Sequence, residues 1–164
     1  MGTAAKQERL YDVIKDFDNA ILVTNAAGGS NHARPMQIAE IREDGDIFFA
    51  TSTDSPKIAE IAANPDVVVT FQSSRQFAAV YGSAEVVRDR NLIDHLWSEA
   101  WKVWFPKGKA DPTLCLIRVA GREGEYWDNA GMQGIKHAFQ TAKAYMQGRT
   151  PAQDEKQNAK VRLS

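Results

Sequence analysis

The sequence predicts a mainly β domain of the α+β class, in which a small barrel of about six antiparallel strands is flanked by helices. Most apolar runs that read as strands follow one another through short turns, which favours antiparallel pairing. An antiparallel sheet interrupted by helices tends to close on itself, because closure hides its edges. A parallel dinucleotide-binding sheet is disfavoured, because strands and helices do not alternate strictly and no glycine fingerprint follows a strand.

The first half of the chain begins with a helix and continues with strands. Leu10, Val13, Ile14 and Phe17 recur at helical spacing, which predicts an amphipathic helix over residues 4–17. Turns rich in glycine, asparagine and aspartate separate the apolar runs that follow. These runs predict strands at 20–24, 33–41, 46–51, 66–72 and 76–87, with a short helix at 55–64.

In the second half, residues 89–105 predict one long helix, because its apolar side chains share one broad face. Three tryptophans lie on that face and read as core residues. Trp104-Phe105-Pro106 stands at the predicted helix end, where it could border a ligand. The remaining elements are strands at 113–121 and 124–128 and a helix at 132–147.

The length of the chain, 164 residues, predicts one domain. The composition turns polar from Arg149 onwards, without the apolar residues that a packed segment needs. We therefore predict a single domain over residues 1–148, followed by a polar, mobile tail over 149–164.

Several classes of function are disfavoured by the composition. The formal net charge is -1, so neither nucleic acid nor an anionic membrane is an expected partner. No apolar run is long enough to span a membrane and no signal peptide is recognisable, so we expect a cytoplasmic protein. Cys115 is the only cysteine and the three histidines are scattered, so neither a disulfide nor a metal site is predicted.

The stretch FFATSTDSPKIAEI carries the clearest sign of a binding site, because a strand ends in hydroxyl residues where a helix begins. Ser55 suits the N-cap and Pro56 suits the first helical position. The free N–H groups and the dipole of a helix start attract anions. Thr51 and Ser52 add hydroxyl groups and Lys57 adds a positive charge, so the segment predicts a phosphate site. A capped helix with a solvated lysine is the alternative.

Arg34 is the second cation expected at this site. Its strand precedes the strand that ends at Thr51, and the short REDGD turn joins the two as a hairpin. Pro35 removes one ladder donor and holds Arg34 in an extended conformation, so fixed backbone groups could face a planar ligand. We expect the Arg34 guanidinium and the Lys57 ammonium to converge on one phosphate. A solvated arginine on an edge strand is the alternative.

Several short motifs follow one another along residues 6–130. They are Arg34-Pro35-Met36, FFATSTDSPK, Asn64-Pro65, QFAAVYGSAEVV, WKVWFP and EYWD. Their ordered set resembles the general stress protein 26 group of the pyridoxamine 5'-phosphate oxidase-like, FMN-binding split-barrel proteins. The resemblance implies a split β-barrel that forms a homodimer and binds FMN, with FAD as an alternative, at the subunit interface.

The resemblance also implies which residues contact the isoalloxazine ring of the flavin. The strand of Arg34, Pro35 and Met36 would line the ring, and Arg34 would also lie near the ribityl phosphate. Ala50 and Thr51 occupy the positions of the second contact pair in the family.

Further contacts are implied at the phosphate and across the subunit interface. Ser55 and Lys57 match the Ser-x-Lys phosphate motif, although Pro56 replaces the arginine of the oxidases. Gln76 stands where the oxidases place a flavin-binding glutamine. Trp127 matches a late Glu-aromatic-Trp element that reaches the flavin from the partner chain.

The chain departs from the oxidases at two places. Ala39 stands near the position of a flavin-binding lysine, and the C-terminal Arg-Leu-x-Pro element is missing. The leading hypothesis is therefore an FMN-binding stress protein with flavin-dependent oxidoreductase activity, NAD(P)H as a plausible reductant and no identified catalytic side chain. The alternatives are a non-catalytic flavin-buffering module, a barrel that binds deazaflavin or haem, and a structural dimer without a ligand.

Overall fold

The computed structural model describes residues 1–151 and 154–164, apart from the side chain of residue 133. Its helices are α1 (Thr3–Ile14), α2 (Pro56–Ala63), α3 (Arg90–Leu96) and α4 (Gly131–Met146), with short 3-10 helices at Ala27–Gly29, Glu99–Val103 and Gly108–Ala110. Its strands are β1 (Asn19–Asn25), β2 (Asn31–Ile41), β3 (Ile47–Ser52), β4 (Asp66–Gln72), β5 (Gln76–Val87), β6 (Leu114–Asp128) and β7 (Asn158–Arg162). None of the helices in these described ranges has the length and apolar character needed to cross a membrane.

The strands of the described chain form one antiparallel sheet in the order β3-β2-β1-β4-β5-β6-β7. A further pairing of β3 with β6 closes β1 to β6 into a six-stranded barrel, and β7 lies outside the closure, against β6. Closure satisfies the backbone groups that an open sheet would leave at its edges. The predicted fold class, an antiparallel barrel of about six strands with flanking helices, is confirmed.

Adjacent residues of β3 face two separate apolar clusters. Phe49 points into the barrel, where it joins Leu22 of β1 and Leu10 of α1. Phe48 points outwards and packs with Leu116 of β6 under α3 and the 3-10 helix that follows it. This alternation follows from the two-residue period of a strand. The outer cluster borders the candidate site described below.

The helix predicted over residues 89–105 is interrupted at Trp97, and this prediction is wrong in that respect. α3 ends at Leu96, Trp97 has ψ 134°, and a 3-10 helix begins after Ser98, whose hydroxyl accepts a hydrogen bond from the N–H of Ala100. Without the break, residues three apart would share one helix face. With it, Trp101 is buried at 3% exposure, whereas Trp104 is 67% exposed.

The last two predicted strands, 113–121 and 124–128, are one continuous strand, β6. The break in the sequence pattern is an irregularity in the register, because Tyr81 pairs with Glu123 while Gly82 pairs with Gly121. The backbones are close here, since a Cβ atom at Gly82 would lie 2.3 Å from the carbonyl oxygen of Ala120. The sequence showed a gap between two strands where the structure has an extra residue in one strand.

The polar tail predicted over 149–164 does not hold for residues 158–162, which form β7. This strand pairs with β6, and the side chains of Ala159 and Val161 are buried. The Tyr126 hydroxyl of β6 donates a hydrogen bond to the carbonyl oxygen of Glu155, just before β7. Five residues with only two inward positions are too short to show a strand period against a polar background. Residues 152–153 lie outside the described part of the chain.

Candidate functional site

A half-open pocket of about 380 Å³ lies against the outer face of β2 and β3. The start of α2 forms one end of it, and the 3-10 segment after α3 forms the other. Its lining residues are Pro35, Met36, Gln37, Ala50, Thr51, Ser52, Ser55, Lys57, Trp101, Trp104, Phe105 and Thr113. The pocket thus brings together seven of the predicted site residues: Pro35, Met36, Ala50, Thr51, Ser52, Ser55 and Lys57.

The polar end of the pocket is built by the junction between β3 and α2. The backbone N–H of Ser55 donates to the carbonyl oxygen of Ser52, and the N–H of Asp54 donates to the Ser52 hydroxyl. These bonds fold the chain into a tight turn before Pro56 begins the helix. Ser55 occupies the N-cap position, as predicted, but its hydroxyl makes no capping bond. The helix start remains oriented towards the pocket, where its dipole favours an anion.

Lys57 is the cation at this polar end. Its ammonium donates to the hydroxyl oxygens of Thr51 at 3.1 Å and Ser55 at 2.5 Å. None of the ion pairs formed by the described residues includes Lys57. Burial, and next the positive charge of Arg34, lower the pKa of Lys57. An anion in the pocket would therefore find a partly desolvated ammonium held in place by neutral groups.

The opposite end of the pocket is aromatic. Trp101 and Phe105 are buried, and the ring of Trp104 stands exposed at the rim. Helical spacing assigned the tryptophans to the core of one helix, and only Trp104-Phe105-Pro106 was expected to border a ligand, so Trp101 was missed. The useful signal was Trp104-Phe105-Pro106, which marks the end of the helical pattern, because the break at residue 97 is what turns these rings towards β2 and β3.

Two further lining residues, Gln37 and Thr113, were also missed. Gln37 follows Pro35 on the outer face of β2, whereas Met36 between them packs into the barrel core. Thr113 lies across from the end of β3, where its carbonyl oxygen accepts a bond from the N–H of Thr53. The alternation along β2 would have been enough to add Gln37 once the face of Pro35 was known.

Arg34 does not point into the pocket. Its guanidinium donates to the hydroxyl oxygen of Thr24 at 2.6 Å and lies 3.3 Å from a carboxylate oxygen of Glu60. Two residues before Met36, Arg34 shares the inward side of β2 with it. Arg34 and Lys57 therefore lie on the same side of the molecule, on either side of α2, but only the Lys57 ammonium reaches the pocket.

Glu60 of α2 is the centre of the network that holds Arg34. Its carboxylate accepts from the Thr24 hydroxyl at 2.5 Å, contacts Nδ1 of His32 at 2.9 Å and pairs with Arg34. The hydrogen bond from Thr24, then that with His32, lowers the pKa of Glu60 to about 2. This network attaches α2 to β1 and β2 on the side away from the pocket.

Gln76 and Trp127 lie elsewhere on the barrel, at the paired ends of β5 and β6. Gln76 is opposite Asp128 in the register, and Phe77 is opposite Trp127. The rings of Phe77 and Trp127 are exposed, at 41% and 36%. Within one chain, neither Gln76 nor Trp127 lines the pocket. The assignment of Gln76 as a flavin contact stays a prediction, as does that of Trp127 as a contact from a partner chain.

Known proteins share both the sequence pattern and this architecture. Residues 5–152 match the profile of the family described as pyridoxamine 5'-phosphate oxidase like. The chain is 28% identical to General stress protein 26 of Bacillus subtilis over 119 residues, which are 69% of this chain and 81% of that protein. It is 30% identical to Protein bli-3 of Neurospora crassa over 98 residues, 53% of this chain, and spans about half (47%) of that relative's length.

Solved structures show the same fold. A protein of Jannaschia sp. assigned to general stress protein 26 is 25% identical, with a TM-score of 0.74, and the match covers 98% of this chain and 99% of that one. A general stress FMN/FAD binding protein from Xanthomonas citri is 31% identical, with a TM-score of 0.66, over 79% of this chain and 92% of that one. The chain therefore belongs to the pyridoxamine 5'-phosphate oxidase-like family, and it is similar to members named general stress protein 26.

Proposed function

We propose that this protein binds FMN in the pocket between β2, β3 and α2, with FAD as the larger alternative. The observation that carries the proposal is the ammonium of Lys57, which is held by two hydroxyl oxygens and joins no ion pair among the described residues. A phosphate monoester supplies the missing negative charge. The FMN/FAD binding protein of Xanthomonas citri supports the assignment by its likeness to this chain.

The residues of the pocket fit both parts of FMN. At the polar end, the hydroxyl groups of Ser52 and Ser55 and the ammonium of Lys57 are donors for phosphate oxygens. At the other end, Trp101 and Phe105 offer apolar walls to a planar ring. The volume of about 380 Å³ lies within the range of roughly 300–1,000 Å³ that small-ligand pockets occupy.

We further propose that a second copy of the chain completes the site. The exposed rings of Phe77 and Trp127 form an apolar pair on the outer face of β5 and β6, as expected of an interface. The pocket of one chain is half-open, so the partner's Trp127 could cover the flavin from the open side. Trp127→Ala should lower flavin affinity several-fold by removing ring contact. Unchanged affinity would remove this residue from the site.

The function proposed for the complex is flavin-dependent redox chemistry with NAD(P)H as the reductant. A bound flavin supplies the hydride and electron transfer. Lys57 would hold the phosphate, and β2 with the aromatic residues of the pocket would bind the ring. Lys57 is the one ionisable side chain among the described lining residues, so this side of the pocket is suited to binding and positioning the ligand.

The binding proposal is tested by identifying any chromophore released on denaturation of the purified protein and by titrating the protein with FMN, FAD and riboflavin. FMN should bind more tightly than riboflavin, because only FMN carries the phosphate. Equal affinities, or no flavin binding, would contradict the proposal. Anaerobic bleaching of the flavin by NAD(P)H then separates an oxidoreductase from a flavin-buffering module, which would bind flavin without turnover.

A further inference from the structure

Lys57 and Glu60 are three residues apart on α2, a spacing that places opposite charges side by side on a helix and ordinarily lets them pair. They do not pair here. The Glu60 carboxylate is turned towards β1 and β2, where it contacts Thr24, His32 and Arg34. The Lys57 ammonium is turned the other way, towards Thr51 and the pocket.

We propose that Arg34 is a positioning residue, which keeps Lys57 free for the phosphate by holding the carboxylate of Glu60 and neutralising its charge. This inference rests on the proposed function, because the phosphate is that of FMN. Thr24 links the two members of the pair, since its hydroxyl accepts from Arg34 and donates to Glu60. Thr24 is fully buried, so this hydroxyl has no competing water and its geometry is fixed.

The charges around Lys57 agree with a carboxylate that is held by Arg34 and an ammonium that is left for the ligand. The positive charge of Arg34 contributes more to lowering the pKa of Lys57 than the negative charge of Glu60 contributes to raising it. Of these two charged side chains, the guanidinium therefore has the larger effect on the Lys57 ammonium. Without the guanidinium, the Glu60 carboxylate would lose its arginine partner and be available either to pair with Lys57 or to repel the phosphate.

The role differs from the one that the sequence suggested for Arg34. If the guanidinium contacted the phosphate directly, its removal would weaken FMN binding whatever residue stood at position 60. A guanidinium that restrains Glu60 becomes dispensable for binding once the carboxylate is gone. The two roles therefore make opposite predictions for a double variant.

The test compares the FMN and riboflavin affinities of the full-length protein and its variants at one fixed pH. Arg34→Met should weaken FMN binding about tenfold, the scale of one partly screened charge near a phosphate, and leave riboflavin binding unchanged. Adding Glu60→Gln to Arg34→Met should restore FMN affinity. Arg122→Met, which removes an exposed arginine paired with Asp66 on another face, is the control.

Failure of the double variant to recover FMN affinity would overturn the inference and favour direct phosphate contact by Arg34. An Arg34→Met protein that binds FMN normally would overturn it as well. If Arg34→Met does not fold, Arg34→Gln keeps a donor for Thr24 and gives the same comparison.

A readout that needs no flavin separates this inference from the binding proposal. The 13Cε shift of Lys57, followed against pH by NMR, should show a higher pKa for its ammonium in Arg34→Met than in the unmodified protein. The double variant should reverse part of that rise, because the carboxylate is then absent. If the protein binds neither FMN nor riboflavin but shows these shifts, the proposed function is wrong, and the inference that Arg34 restrains Glu60 stands. An unchanged Lys57 titration overturns the restraint.

Discussion

The two sides of α2 carry charged groups whose surroundings differ sharply. On the pocket side, the Lys57 ammonium has two neutral hydroxyl oxygens as partners. On the barrel side, the Glu60 carboxylate has a hydroxyl from Thr24, a ring nitrogen from His32 and a guanidinium from Arg34. The carboxylate is saturated by its own chain, and the ammonium is not.

This difference shows which charge serves the fold and which is left for a ligand. A charge that is largely withdrawn from water is costly unless it is paired, so a saturated network stabilises the helix position. A partly buried cation without an anionic partner offers binding energy to an anion that arrives later. One helix thus carries an internal anchor and an external binding group within one turn of each other.

The largest expected effect is that of Lys57→Ala on ligand binding. Removing the ammonium should lower FMN affinity about 10- to 100-fold, the range of a hydrogen bond to a charged group, and should leave riboflavin affinity nearly unchanged. Titrations followed by flavin fluorescence measure both constants. The selectivity for the phosphate, and not the overall affinity, is the quantity that the pocket side of α2 controls.

Lys160→Ala provides the control, because it removes an exposed lysine of β7, away from the pocket. This variant should bind FMN as the unmodified protein does. Equal losses of FMN and riboflavin affinity in Lys57→Ala would mean that the lysine supports the pocket generally and does not contact a phosphate. The contrast between the two sides of α2 would then have no bearing on the ligand.

The second expected effect is on stability and concerns two buried threonines. Thr24→Val keeps the size of the side chain but removes the hydroxyl between Arg34 and Glu60. It should lower the free energy of unfolding by about 1–3 kcal/mol, because charged groups lose a buried partner. Thr51→Val removes only an acceptor for Lys57 and should cost less. Chemical denaturation of both variants measures the difference.

Thr24→Ser keeps the hydroxyl and serves as the conservative control. Its loss of stability should stay below that of Thr24→Val, because only a methyl group is removed. If Thr51→Val proved as destabilising as Thr24→Val, the pocket side of α2 would contribute as much to the fold as the barrel side. The comparison between an anchor and a binding group would then fail.

The fold and the polar end of the site could be predicted because their signals are local. Strand alternation and short turns indicated the barrel, and the hydroxyl residues, Ser55 and Lys57 are close in sequence at one junction. The direction of Arg34 could also have been read from the sequence. It lies two residues before Met36, whose apolar side chain marks the inward face of β2, so its guanidinium had to point away from the face of Pro35.

The aromatic end could not be predicted in the same way, because its geometry depends on packing between distant segments. Trp101 is buried with Phe48 and Leu114 in the outer cluster, and the break in the helix at Trp97 brings it there. Helical spacing alone cannot reveal such a break. β7 was not predicted for a related reason, since the contacts that bury its two inward side chains are made with β6 and with α1, at the other end of the sequence.

The smallest expected effect is on the pH dependence of stability. The pKa of Glu60 is lowered to about 2 from an ordinary value of 4.5, so folding favours its charged form. Its contribution to the free energy of unfolding is present above about pH 4.5 and is lost as the pH falls towards about 2. Glu60→Gln should therefore flatten the decline of stability over this interval, as measured by urea unfolding at a series of pH values.

Glu155 provides the comparison that assigns this acid-sensitive contribution to α2. Its pKa is also lowered to about 2, by the N-terminal ammonium and Lys6, but its side chain is 49% exposed. Salt screens exposed charges much more than enclosed ones. The contribution of Glu155 to stability should therefore shrink in about 0.5 M salt, while that of Glu60 persists. If Glu60→Gln changed the acid dependence of the free energy of unfolding only at low salt, the network on the barrel side would be screened by solvent. Arg34 could then not hold the carboxylate away from Lys57.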